Sequence, residues 1–274
     1  MSGKLYVVGT PIGNLEDLSP RAARILAEAD FIAAEDTRVT LKLLNHLDIK
    51  RELVSYYEHN KNIKENYIIS RISAGETCAI VTDAGMPAIS DPGEELVRAA
   101  HENGIPVESV PGPVAFATAL SVSGMPSARF CFEGFLSVNK ASRAEHLASL
   151  KGETRTMIFY EAPHKLLKTL KDMGETFGFD REIVIAKELT KIHETVFRFD
   201  FAKAIKHFEE NPPRGEYVLI VRGAKIEKEE YTLEQAVEIA REYLKKGCSS
   251  SLAAKSAAAI TGIKKSEIYE KIIK

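Results

Sequence analysis

The stretch Thr82-Asp83-Ala84-Gly85-Met86-Pro87-Ala88-Ile89-Ser90-Asp91-Pro92-Gly93 places two carboxylates, two prolines and two glycines directly behind the apolar run Cys78-Ala79-Ile80-Val81. Carboxylates there could hold a cation or a ribose hydroxyl, and the prolines make the loop stiffer than a connector needs. Two further clusters also follow apolar runs. Glu35-Asp36-Thr37-Arg38 comes after Phe31-Ile32-Ala33-Ala34, and Lys187-Glu188-Leu189-Thr190-Lys191 comes after Ile183-Val184-Ile185-Ala186. Glu35, Asp36, Lys187 and Glu188 are therefore candidate general bases. The same residues also read as a capped helix start with an Asp–Arg pair and as a structural Lys–Glu pair. His164 and His193 read as surface or hydrogen-bonding residues.

Each cluster needs a strand to end beneath it and a helix to start beyond it. Strands are expected at Leu5–Val8, Phe31–Ala34, Leu53–Tyr56, Cys78–Val81 and Pro106–Val110. Helices are expected from Ser19–Pro20, Thr40, Asn62, Glu94 and Val114. Strands alternating with helices imply a mostly parallel sheet covered on both faces, with ligands just beyond the carboxyl ends of its strands. Gly124-Met125-Pro126-Ser127 breaks the pattern, so the domains are expected at 1–125, 126–224 and 232–274. The second carries strands at Phe130–Phe135, Thr156–Tyr160, Glu182–Ala186, Glu194–Phe199 (antiparallel) and Tyr217–Val221. Helices there are expected at Lys140–Leu150, Lys165–Phe177 and Phe201–Asn211. The charged run Lys225–Glu230 reads as a linker, and the tail as helix-turn-helix-like.

Net charge is −2, so no whole-protein field advertises a nucleic-acid partner. From Thr232 onward there are eight Lys/Arg against five Glu, and from Lys140 to Lys171 seven against three. These surpluses suit solvated helix faces as well as phosphate contacts. The three isolated cysteines fit a reducing cytoplasm and offer no metal-ligand spacing, so no metal is expected. No apolar run approaches the ~20 residues of a membrane span.

Gly9-Thr10-Pro11-Ile12-Gly13 is not a dinucleotide loop, because proline sits where free N–H groups are needed. P-loop and Gly-x-Ser-x-Gly signatures are absent too, which argues against phosphate-rich cofactors. A ligand carrying a cation and an amino acid, such as S-adenosylmethionine, suits loops rich in Asp, carbonyls and small residues.

Seven short motifs follow in order: Gly9-Thr10-Pro11-Ile12-Gly13-Asn14-Leu15, Glu35-Asp36-Thr37-Arg38, Ser55-Tyr56-Tyr57-Glu58-His59-Asn60, Asp83 to Gly93, Pro111-Gly112-Pro113, Phe159-Tyr160-Glu161-Ala162-Pro163-His164 and Lys187 to Glu194. Together they resemble the tetrapyrrole-methylase (class III) superfamily of S-adenosylmethionine-dependent methyltransferases, in particular its branch acting on a cytidine 2′-hydroxyl of bacterial 16S ribosomal RNA. The resemblance spans essentially the whole chain. It implies two α/β domains with a cofactor cleft between them, a homodimer, and the small ribosomal subunit as substrate. Carried over by position, it implies cofactor contacts at Thr10, Pro11, Asp83, Ala84, Gly85, Met86, Ile89, Pro113, Val114, Ala115, Phe159, Tyr160, Gly215 and Glu216. The superfamily's commoner Gly-Asp-Pro is here Thr82-Asp83-Ala84. For RNA, Arg38, Lys42, Lys140, Arg143, Lys165, Lys187 and Lys191 are candidate phosphate contacts. Tyr56, Tyr57 and Tyr160 are candidates to stack an unstacked base.

Two other functions fit the same elements. One is a precorrin-type tetrapyrrole C-methyltransferase, disfavoured by the basic tail and the Thr-Pro-Ile-Gly-Asn loop. The other is a ligand-sensing regulator binding nucleic acid through its tail, disfavoured by that tail's small charge surplus.

Overall fold

The computed structural model describes residues 3–225 and 231–273, so all of the expected linker after Lys225 lies outside the described residues. In the first half the strands are β1 (Lys4–Val8), β2 (Phe31–Ala34), β3 (Glu52–Ser55), β4 (Thr77–Val81) and β5 (Val107–Val110). They form one wholly parallel sheet in the order β3-β2-β4-β1-β5. The chain leaves β1 towards β2 on one side and leaves β4 towards β5 on the other. That reversal opens a crevice beyond the ends of β1 and β4, where such sheets bind ligands.

Helices α1 (Pro20–Glu28) and α2 (Thr37–His46) cover one face, through Ile25, Leu26 and Leu44. On the other face lie α3 (Lys61–Ser73) and α4 (Glu94–Glu102), through Ile68, Ile72 and Leu96. Each such side chain taken fully out of water contributes roughly 1.5–3 kcal/mol. Ser19 caps α1 by accepting from the Ala22 N–H at 3.0 Å, with Pro20 in the first turn. The second helix starts three residues earlier than expected. Asp36 caps it by accepting the Arg38 N–H at 2.8 Å, which draws Thr37 and Arg38 into the first turn.

The second half is built on β6 (Phe130–Phe135), β7 (Thr156–Glu161), β8 (Glu182–Lys187), β9 (Thr195–Asp200) and β10 (Tyr217–Val221). Their order is β6-β7-β10-β8-β9, with β6 and β7 parallel and the remaining pairs antiparallel. Period-two alternation splits each central strand between two cores. Met157, Phe159, Ile183, Ile185 and Leu219 face α6 (Lys140–Ser149), α7 (Pro163–Phe177) and α8 (Phe201–Glu210). Ile158, Tyr160, Val184, Ala186, Val218 and Ile220 face α5 (Ala115–Ser123), whose Ala119 and Leu120 pack between them. Helix α5 follows the last strand of the first sheet yet covers the second, and residues 1–224 form one compact unit.

Residues 225–274 form a second compact unit. There α9 (Leu233–Lys245), α10 (Ser250–Thr261) and α11 (Lys265–Ile273) enclose a small core of Ala236, Val237, Ala240, Ala253, Ala254, Ala257 and Ile268. Thr232 and Gln235 form a reciprocal cap at its entrance. Among the described residues, no helix is long and apolar enough to cross a membrane.

Candidate active site

The loops beyond β1 and β4 are tied by a backbone bridge. The Thr10 N–H donates to the Gly85 carbonyl at 2.9 Å, and the Gly85 N–H returns a bond to Thr10 at 3.1 Å. The buried Thr10 hydroxyl donates to the Thr82 carbonyl at 3.2 Å. The β1 and β5 loops meet backbone to backbone: a Cβ on Gly9 would lie 2.7 Å from the Gly112 Cα and from the Met86 Sδ. Gly85 takes a φ of +88°, and a Cβ there would come within 3.4 Å of Ile12.

These loops form one wall of a cavity of about 340 Å³. Ala84, Gly85, Met86, Ile89, Ser90, Asp91, Val114 and Ala115 come from the first sheet's side. Phe135, Tyr160, Ala186, Leu189, Glu216 and Val218 come from the second. The Tyr160 hydroxyl accepts the Phe116 N–H at 3.1 Å at the start of α5, and its ring packs against Phe132 and Phe135. Burial raises the Tyr160 pKa. Glu161 lines the cavity, but its carboxylate is occupied, taking the Ala162 N–H at 2.8 Å and the Thr169 hydroxyl at 2.5 Å.

Carboxylates gather where β2 and β4 end. Glu35 Oε2 accepts the Thr82 hydroxyl at 2.5 Å and the Asp83 N–H at 3.3 Å, and Asp83 Oδ1 accepts the Asp36 N–H at 3.1 Å. Thr82 also interacts with Asp91, whose pKa is pushed up to about 6 by burial and then by the charges of Glu35 and Asp83. The Asp83 pKa is raised by burial and by Glu35. A second cavity, about 550 Å³, is lined by Glu35, Tyr57, Glu58, Ser90, Asp91, Glu94 and Glu95. A third, about 250 Å³, is lined by Thr10, Pro11, Lys42, Thr82 and Asp83.

Of the expected cofactor contacts, the structure brings Ala84, Gly85, Met86, Ile89, Val114, Ala115, Tyr160 and Glu216 to the first cavity. Thr10, Pro11 and Asp83 line the third cavity instead. Pro113 immediately precedes the cavity turn, with its carbonyl 3.5 Å from the Cβ position of Gly85. Phe159 faces away: it is fully buried in the core beneath α7 and α8, because neighbouring strand residues point to opposite faces. Gly215 adopts φ +88° against Glu188, whose carboxyl carbon would be 2.6 Å from a Cβ. Ser90, Asp91, Phe135, Ala186, Leu189 and Val218 line the cavity without having been singled out as cofactor contacts. Ser90 and Asp91 carried a signal in the sequence as part of the same polar loop, and Leu189 as part of the Lys187–Lys191 cluster.

The four candidate bases separate. Asp36 caps α2 and holds Arg38 through a forked pair, so hydrogen bonds from the Arg38 side chain and backbone lower its pKa to about 2. Glu188 is partly desolvated, yet the Glu216 N–H and Lys191 hold its pKa below the ordinary range. Lys187 ends β8 opposite Tyr217, on the other sheet from Glu35.

Among the basic candidates, Arg38 is exposed, Lys42 lines the third cavity, and Lys140 opens α6 on the surface. Lys165 is half-buried in the first turn of α7, and Lys191 bridges Glu188 and Glu216 at 3.0 and 2.9 Å. Arg143 departs from the expectation. It is 5% exposed, and its Nε donates to Asp172 at 2.7 Å, so it ties α6 to α7 rather than facing a phosphate. Tyr56 is buried and Tyr57 exposed.

The first cavity suits a nucleoside bearing a positive charge. Its volume is in the range of small-molecule sites, and its walls are mostly apolar. Among the described residues Asp91, Glu161 and Glu216 are the ionisable carboxylates lining it, and no lysine or arginine does so. Such walls attract a cation and give no purchase to a pyrophosphate.

Residues 4–205 match the family model described as Tetrapyrrole (Corrin/Porphyrin) Methylases. The chain is 44% identical over 269 residues to a Ribosomal RNA small subunit methyltransferase I of Synechocystis sp., covering 98% of this chain and 96% of that protein. It is 49% identical over 221 residues to a protein of the same name from Thermotoga maritima, covering 81% of this chain and 99% of the relative. Among solved structures, a diphthine synthase superposes with a TM-score of 0.62 at 12% identity, over 81% of this chain and 90% of that one, a likeness of fold.

Proposed function

Because the chain belongs to the tetrapyrrole (corrin/porphyrin) methylase family, we propose that it methylates 16S ribosomal RNA of the small subunit at a cytidine ribose 2′-hydroxyl. It is an S-adenosylmethionine-dependent methyltransferase. The single observation carrying the RNA substrate is the near full-length likeness to relatives named for ribosomal RNA small subunit methylation. The cytidine, its 2′-oxygen and the decoding region of the small subunit are what the family resemblance carried by the short motifs implies. The protein acts as a homodimer in the cytoplasm, a reading supported by the family resemblance and the isolated cysteines.

S-adenosylmethionine supplies, when bound, a methyl group on a positively charged sulfur. The task left to the protein is positioning, water exclusion and proton removal. Met86, Ile89, Val114, Leu189 and Val218 provide apolar contact and keep water from the reaction. The Gly85 turn lets backbone approach the cofactor without a side chain between, and the anchored Tyr160 closes the opposite wall. Tyr57, exposed beside the second cavity, is placed to stack an extruded base. Arg38, Lys42, Lys140, Lys165 and Lys191 are assigned to backbone phosphates.

The test is transfer of labelled methyl from S-adenosylmethionine to purified small subunits, with mapping of the modified nucleotide. Label on one cytidine ribose is expected. No label would sink the reading, and label on a porphyrinoid instead would select tetrapyrrole methylation.

A further inference from the structure

We propose that the 250 Å³ cavity between the Thr10–Leu15 loop and α2 is a second RNA subsite, which takes the unstacked base of a nucleotide next to the acceptor. The inference rests on the reading above that the substrate is RNA. Its first warrant is a mismatch: Thr10, Pro11 and Asp83, expected at the cofactor, line this cavity instead, so parts of two motifs face a space outside the cofactor cavity. The loop after β1 is the partition. Pro11 and Gly13 face the 250 Å³ cavity, while Ile12 between them faces the 340 Å³ cavity. Across the backbone bridge that joins the β1 and β4 loops, Thr10 lies on one side and Gly85 on the other. A base held here sits one backbone thickness from the methyl donor, where a neighbour of the reacting nucleotide belongs.

The walls suit a base with a phosphate attached. Helix α2 carries two rows at i, i+4 spacing. Val39 and Leu43 are apolar and both line the cavity; Arg38 and Lys42 form a basic row beside them, and Lys42 lines it too. Leu15 adds an apolar wall from the loop. Leu15 and Val39 are 48% and 37% exposed, so a flat ring laid against them would take apolar surface out of water. Apolar faces hold a base whatever its identity, and a cation beside them tracks the backbone. Arg38 is held by Asp36, whereas Lys42 makes no ion pair among the described residues. Among the described residues no lysine or arginine lines the cofactor cavity, so of these two cavities this one is fitted to a phosphate.

One polar edge is left for the base itself. Asp83 Oδ1 accepts the Asp36 N–H, and Oδ2 has no partner among the described residues. Burial and the neighbouring charge of Glu35 disfavour the ionised carboxylate, a cost that an incoming N–H donor would offset. The exocyclic amino groups of cytosine, adenine and guanine supply such a donor, and uracil has no such group.

The experiment uses three single substitutions in the full chain. Val39→Glu puts a carboxylate into the apolar row; an acidic residue in a first helical turn is favoured by the helix dipole, so the fold should persist. Leu15→Ala removes the loop wall without adding charge. Leu41→Glu, also exposed on α2 but outside the cavity, controls for general repulsion of RNA. In methylation of small subunits, the KM should rise about tenfold or more with Val39→Glu and several-fold with Leu15→Ala. Leu41→Glu should stay within about threefold of wild type, because an exposed charge is screened. Affinity for S-adenosylhomocysteine, read by calorimetry, should stay within about twofold throughout, since only acceptor binding is lost. In wild type saturated with S-adenosylhomocysteine, CMP, AMP or GMP should shift the amide NMR signals of Val39, Lys42 and Leu43, and UMP should shift them less. The inference is overturned if Val39→Glu and Leu41→Glu behave alike, if product affinity falls in step with the rise in KM, or if no nucleotide shifts the α2 signals. Equal shifts with UMP would remove Asp83 from the recognition. Leu15→Ala and the wild-type titration decide the matter even if Val39→Glu does not fold. A wild type that fails to label small subunits would overturn the RNA reading instead, while the titration still reads the cavity, so the two failures are distinguishable.

Discussion

Asp36 and Asp91 show how the same side chain is set to opposite tasks by its neighbours. Hydrogen bonds from Arg38 drop the pKa of Asp36 to about 2, while burial beside Glu35 and Asp83 lifts that of Asp91 to about 6. The two shifts act oppositely on stability. Asp36 stabilises the fold above its unfolded pKa, and the contribution is lost as the pH falls through its lowered value. Asp91 binds its proton more tightly folded than unfolded. Its ionisation therefore costs stability at neutral pH, and that cost disappears as the pH falls from about 6 through the unfolded value near 4. Asp91→Asn removes the buried charge and should raise unfolding stability at pH 7.5 by roughly 1–2 kcal/mol, after discounting for partial exposure. At pH 4 the gain should be nearly absent. Thermal melts of both proteins at the two pH values check this, and a variant less stable than wild type at pH 7.5 would show that Asp91 is a structural partner instead. A residue that costs stability while lining a cavity is the pattern expected of an active site.

The elements that carry these residues are shaped by loop contacts as much as by strands. Gly9 and Gly112 touch through their backbones, so the β1 and β5 loops converge on Met86 and on the Val114–Ala115 turn of the cavity. Gly9→Ala would put a methyl group 2.7 Å from backbone that has no flexible end to move aside. Overpacking of this kind costs about 1–3 kcal/mol. The affinity for S-adenosylhomocysteine should fall together with the melting temperature, because the displaced loops are the cavity wall. Calorimetry and a melt read both, and unchanged values in each would mean that the loops separate at no cost. The strands themselves were legible, because runs such as Phe31–Ala34 and Tyr217–Val221 are apolar and bounded by polar turns. Helix starts were less so: the capped start with an Asp36–Arg38 pair was one reading of that cluster and the structure has it, but apolar periodicity placed the helix at Thr40, and α7 opens at Pro163 rather than Lys165. Three facts about the site were out of reach because they depend on which elements lie side by side. Tyr160 faces the cavity while Phe159 does not, Arg143 turns inward to Asp172, and Asp91 lies beside Glu35 although fifty-odd residues separate them in the chain. Spacing along one strand predicts alternation but not which face meets the cavity.

For the whole molecule, the open question is what the 225–274 unit adds to the 1–224 unit. The tail has its own alanine-rich core and its own capped first helix, so its fold draws on internal contacts. The cavities described above are lined entirely by residues of the first unit. The proposed cofactor cavity is therefore built from residues of the first unit. From Thr232 onward the eight Lys/Arg against five Glu suit a supporting contact with RNA phosphates, which would release counterions and weaken as salt rises. Removing residues 225–274 should therefore leave S-adenosylhomocysteine affinity and the first unit's melting unchanged. The KM for small subunits should rise on the order of tenfold near physiological salt, with a shallower dependence of KM on salt than in the full chain. A truncated protein with unchanged KM and salt slope would reduce the tail to a folded appendage. One that loses product binding would show instead that the first unit depends on the tail for its own structure.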